Sequence, residues 1–200
     1  MWTLIWGFLM AWAQAPTYPD NPYHAAFQAA YATHPRIPRG ALEAIAYTQS
    51  RFFPIEPDPH AHMPQPWGLF GWIENGQGHF RENFRLIVSL SGISADTLKV
   101  SPVHQVQAMA RAYEKRMKAR RLSPDDHRGQ AAVFVDISYI PLWDTSALRI
   151  ELQGLYRFLT DSVAARKYGF TPWNVSPAEV PLPIPTRPQR VPMRQDIFSR

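Results

Sequence analysis

Apolar residues return at intervals of three and four along most of this chain, and prolines decide where each such run begins and stops. Between Arg39 and Phe52, the positions Leu42, Ile45, Ala46 and Gln49 follow the i, i+3, i+4, i+7 pattern that puts side chains on one face of an α-helix. Pro35 and Pro38 end the preceding run and set the start of this one, because proline lacks the amide hydrogen that a helix interior uses. The buried stripe ends on a polar group, Gln49.

The same period predicts further helices. Tyr23, Phe27 and Ala30 or Tyr31 mark one over 21–32, and Phe84, Ile87, Val88 and Leu90 mark one over 80–90 that stops at Ser91-Gly92. Ser101 before Pro102 reads as a cap with proline in the first turn, opening a long helix to about Arg121. Ser123-Pro124-Asp125-Asp126 caps an element reaching Ser138, read as helix although residues 131–140 have strand propensity. Asp144 or Ser146 starts another through Leu148, Leu152, Leu155, Phe158 and Leu159. The expected fold class is mostly α. Residues 53–66 form a proline-rich loop, and Trp67-Gly68-Leu69-Phe70-Gly71-Trp72 comes next. Beyond Phe170, seven prolines between 172 and 192 and no helical period describe an extended basic tail. The expected division is therefore a signal over 1–15, a helical domain over 16–170 and a tail over 171–200.

Trp2 to Trp12 is apolar but too short to span a bilayer, and Ala13-Gln14-Ala15 supplies a small-x-small cleavage site. An exported chain is expected, periplasmic or extracellular in a bacterium, with a retained membrane anchor as the alternative. Cysteine is absent, which removes disulfides, thiolate metal sites and cysteine nucleophiles and leaves stability to the core. The net charge is +5 and the pI about 9.7, with the excess in Arg111, Lys115, Arg116, Lys118, Arg120 and Arg121 and in Arg187, Arg190, Arg194 and Arg200. That balance favours polyanions, here anionic envelope polymers met by the long helix and the tail, or it is a solvated face. No nucleic-acid motif, phosphate loop, dinucleotide fingerprint or Ser-His-Asp arrangement is present. Asp58-Pro59-His60-Ala61-His62 reads as loop rather than as a metal site, and no cofactor is expected.

Pro38, Leu42, Ala44, Ile45, Ala46, Ser50 and Phe52, followed after a loop by Gly68-Leu69-Phe70, resemble the acid-bearing helix and the Gly-Leu-Met-Gln segment of lysozyme-like lytic transglycosylases and goose-type lysozymes. Gln49 stands where those enzymes carry Glu, Gly71 where they carry Gln, and Ser138-Tyr139-Ile140-Pro141 replaces a Tyr-Asn segment that lines their cleft. Residues 23–174 are also similar to the region preceding the catalytic domain of secreted Bacteroidetes-type N-acetylmuramoyl-L-alanine amidases. That likeness rests on Leu90-Ser91-Gly92-Ile93-Ser94, Leu155-Tyr156-Arg157-Phe158-Leu159, Tyr168-Gly169-Phe170 and Trp173-Asn174. The resemblance implies a lysozyme-like domain, peptidoglycan glycan strands as partner and a separately encoded amidase as a candidate associate. Amidase activity itself is not expected of these residues, which lack a His-rich zinc cluster.

Glycoside cleavage needs a carboxylic acid kept protonated by an apolar pocket. An amide keeps the shape and hydrogen-bonding capacity of that group but has no proton to transfer, and general acid catalysis is worth roughly 10²–10⁴-fold. The expected function is thus peptidoglycan binding without efficient cleavage, in a cleft around Gln49 lined by Tyr47, Ser50, Trp67, Phe70, Trp72 and Asn75. Two rivals stay open. One is a weak muramidase or transglycosylase using Glu74, or Glu56, as substitute acid. The other is an envelope protein-interaction scaffold.

Overall fold

The computed structural model describes residues 18–58, 60–76, 82–176, 178 and 180. The expected signal segment and nearly all of the proline-rich tail lie outside them. Eight helices are found among the described residues: α1 (His24–Thr33), α2 (Ala41–Ser50), α3 (Asn83–Ser91), α4 (Ala95–Val100), α5 (Pro102–Arg120), α6 (Gln130–Ser138), α7 (Thr145–Thr160) and α8 (Ser162–Tyr168). The only β pairings among the described residues are two isolated bridges, Ile55 with Gly68 and Trp67 with Trp72. The protein is mostly α.

Capping residues fix the helix starts. Ser101 accepts a hydrogen bond from the His104 amide with Pro102 in the first turn, Asp144 accepts from Ala147, and Asp161 accepts from Val163 where α7 hands over to α8. α2 begins differently. Gly40 takes a left-handed φ of 89°, and a Cβ there would stand 2.8 Å from the Phe170 ring, so glycine meets both a backbone and a packing demand. Two short helices escape the sequence pattern. α4 and α8 have six and seven residues, too few for an apolar stripe to repeat.

α5 runs through the centre, with α1, α3, α4 and α6 packed on it, while α2 lies against α7. Its buried face is rich in small residues (Ala108, Ala110 and Ala112 beside Met109 and Tyr113), which lets neighbouring helices approach closely. α6 is buried nearly all round, through Ala131, Val133, Phe134, Val135 and Ile137. Residues of strand propensity thus form a helix here because apolar neighbours surround it on several sides.

Packing continues past the boundary at Phe170. Trp173 is 3% exposed; its indole donates to the Arg39 carbonyl at 3.0 Å and stacks on His127 with ring centres 4.5 Å apart. The helical body therefore extends beyond 170, because the indole completes the core between α6 and the start of α2. At the other end Tyr18 packs on Tyr47, Phe158 and Tyr168 and donates to Asp161 at 2.5 Å.

Candidate functional site

The last turn of α2 carries Gln49, half-buried, with its Nε2 donating to Glu151 Oε1 of α7 at 2.6 Å. The turn after Trp67 closes over it. Gly71 has φ 56°, and a Cβ there would lie 3.0 Å from Gln49 Oε1. Ile45, Phe70, Met109, Phe134, Ser138 and Leu155 complete the walls of a crevice of about 10 Å³. That volume is about what one water needs, whereas small-ligand sites run to roughly 300–1,000 Å³. A sugar ring does not fit over Gln49 in this conformation. The replacement segment Ser138-Tyr139 does reach the crevice, through Ser138.

The expected cleft residues separate into two groups. Phe70 and Trp72 are 1% and 0% exposed and stack on each other at 5.6 Å; they are core. Tyr47 points to the α7–α8 side, stacked on Phe158 at 4.9 Å with the Arg51 guanidinium 4.2 Å from its ring centre. It lies two residues from Gln49, which is about 200° round the helix, so the two cannot share a wall. Ser50 donates to the Ala46 and Leu69 carbonyls at 3.0 and 2.7 Å and so ties α2 to the Trp67 turn rather than facing a ligand. The predicted cleft around Gln49 lined by Tyr47, Ser50, Phe70 and Trp72 is therefore not formed.

Trp67, Glu74 and Asn75 do come together, on the other side of the same turn. A groove of about 620 Å³ runs between Pro54–Pro57, Trp67, Glu74, Lys99–Val100, Pro102 and Gln105. A second of about 490 Å³ shares Pro57, Trp67 and Glu74 with it and adds Asp58, Met63, Asn75 and Arg85. The turn is held open by two pins. Ile55 and Gly68 exchange backbone hydrogen bonds at 3.1 and 2.8 Å. Buried Gln105 accepts from the Leu69 amide at 2.7 Å and donates to the Leu98 carbonyl at 2.8 Å. Glu74 is engaged by Lys99 through both oxygens, at 2.8 and 3.1 Å. Glu56 is exposed on the groove wall.

Two residues escaped sequence reasoning, Glu151 and Gln105, while Glu43, six positions before Gln49 and about 240° round the helix, faces elsewhere as its spacing predicts. Glu151 sits at i+3 from Leu148 and beside Leu152 on the stripe of α7, the same signature that marked Gln49: a polar side chain on a buried face. Gln105 left no sequence signal. Glu43, 1% exposed, accepts a hydrogen bond from Tyr31, whose oxygen in turn accepts from the Leu42 amide at 3.1 Å. Burial pushes the Glu43 carboxyl up to about 7, against the opposing pull of the Tyr31 hydrogen bond.

Half of the basic run along α5 is engaged. Arg120 forks onto Asp136 with both contacts at 2.7 Å, Lys118 meets Glu114 at 3.2 Å, and Arg111 donates to the Ser91 carbonyl at 3.2 Å. No group of three or more potential metal ligands occurs among the described residues, and no helix among them is long and apolar enough to cross a membrane. No family model, no curated protein and no solved structure matches this chain.

Proposed function

We propose that this chain is an exported, lysozyme-like domain that binds the glycan strands of bacterial peptidoglycan without cutting them. The observation that carries the reading is the Gln49–Glu151 hydrogen bond in a crevice without room for a sugar, backed onto an open groove. The position that supplies a proton in the enzymes it resembles holds an amide, and that amide is already committed. Binding is left to the groove, where the half-buried Trp67 ring offers an apolar face for a sugar and Glu56, Glu74 and Asn75 offer polar partners for hydroxyl and N-acetyl groups. The engagement of Glu74 by Lys99 argues against Glu74 as a substitute acid.

Co-sedimentation of the full chain with purified sacculi tests the reading. Retention at low salt that persists at high salt and is lost in Trp67→Ala is the expected result. Retention that vanishes with salt assigns binding to Lys115, Arg121 and the basic tail instead, since screened charge is what salt removes. A chain that stays wholly in the supernatant overturns the proposal, and release of soluble muropeptides overturns its non-cleaving part.

A further inference from the structure

Two of the large apolar side chains that stand exposed among the described residues, Val100 and Met63, line the Trp67 grooves. Val100 is 82% exposed. Exposed apolar side chains on the walls of a cavity mark a surface suited to meeting another polymer. Three prolines, Pro54, Pro57 and Pro102, stand on the walls beside Trp67.

The charge of the grooves runs against that of the chain. Lys99 is taken by Glu74 and Arg85 by Glu82, whereas Glu56 and Asp58 have no ion-pair partner among the described residues. In a chain of net charge +5 the unbalanced charge here is negative. The matching occupant is extended, apolar and cationic.

The chain itself carries such a segment. Residues 181–194, outside the described residues, read Pro-Leu-Pro-Ile-Pro-Thr-Arg-Pro-Gln-Arg-Val-Pro-Met-Arg, with three arginines and no acidic residue. In a polyproline II helix, at three residues per turn, Pro185, Pro188 and Val191 share one ridge, and Arg187 and Arg190 share the next. Such a helix has no internal hydrogen bonds and little conformational entropy left to lose, which is why aromatic- and proline-lined grooves take it up. Val180, the last described residue, packs against the core. The ten residues from there to Arg190 span roughly 31 Å when extended, about twice the ~15 Å radius of gyration expected for a body of this size.

We propose that the Trp67 groove is the docking site of residues 181–194 of this same protein, with the proline ridge against Trp67 and the arginines over Glu56 and Asp58. The proposal does not rest on the wall-polymer reading, because its test contains no glycan.

The chain lacks cysteine, so a single Gln189→Cys takes one nitroxide label without touching the helical body. The ¹⁵N spectrum of the full labelled chain is compared with the label oxidised and reduced. Expected is loss of amide signal at Ile55, Glu56, Gly68 and Val100, removed by Arg187→Glu with Arg190→Glu. The loss returns when those changes are combined with Glu56→Lys and Asp58→Lys. Mixing ¹⁵N chains without the label and unlabelled-isotope chains carrying it separates one molecule from a pair of copies: intact groove signals in the mixture support docking within one chain, and their loss there overturns it in favour of a second copy. Groove signals that keep their intensity, or a loss indifferent to the arginine changes, overturn it.

Discussion

Glu43 is an acid inside a core, and its titration has a definite sign. Its carboxyl is raised from 4.5 to about 7 in the folded protein, so between those values the folded state holds a proton that the unfolded chain has released. The contribution is fully present below about pH 4.5 and is lost as pH rises through about 7. It amounts to about 3 kcal/mol, at ~1.4 kcal/mol for each pH unit between the two values. Glu43→Gln should remove that slope. Urea denaturation at pH 5 and pH 7.5 is expected to find the variant gaining stability relative to the parent on going to the higher pH, by a few kcal/mol.

Gln49 joins the fold to the binding proposal through its hydrogen bond to Glu151. Gln49→Glu places a second carboxyl within hydrogen-bonding distance of Glu151 in a crevice of about 10 Å³. This should destabilise the fold by roughly 1–3 kcal/mol, since a half-buried acceptor then faces an acceptor. Thermal melts of variant and parent check this, and no muropeptide release is expected from the variant.

At the scale of elements, the Trp67 turn depends on a glutamine from a different helix. Gln105→Leu removes the acceptor of the Leu69 amide and the donor to the Leu98 carbonyl, leaving two polar groups unpaired. A cost of roughly 1–3 kcal/mol is expected, with faster hydrogen exchange at the Leu69 amide than elsewhere in the core. The helices themselves were legible for local reasons. Ser101-Pro102 and Asp144 announce α5 and α7 because a cap and its first turn are neighbours in sequence. α4 was not legible: its N-cap Ser94 is present, but six residues bury only Leu98, which leaves no period to read.

At the scale of the whole molecule, both ends of the described chain close the body. Lys167 binds the Tyr18 carbonyl at 2.5 Å and Asp20 at 2.8 Å, while Trp173 joins α6 to the start of α2. A chain ended at Phe170 should therefore lose stability relative to one ended at Val180, by the roughly 3–5 kcal/mol typical of removing a buried tryptophan. Trp173→Ala in the full chain should reproduce most of that loss, read by chemical denaturation. Composition set the boundary at 170 because prolines dominate the residues beyond it, and composition does not register one indole that packs back onto the domain.

The sequence alone determined the helical class, the main helix starts, and the polar tip at the end of the α2 stripe. Each of these depends on residues within about four positions of one another, and local hydrogen bonding and periodicity govern at that range. Tertiary structure alone decided what Gln49 faces, which of Trp67 and Trp72 stays near solvent, and where the groove opens. Those outcomes depend on Glu151, Gln105 and Lys99, which come from separate helices. Side chains so far apart in sequence meet only when the packed core has fixed the helices against one another.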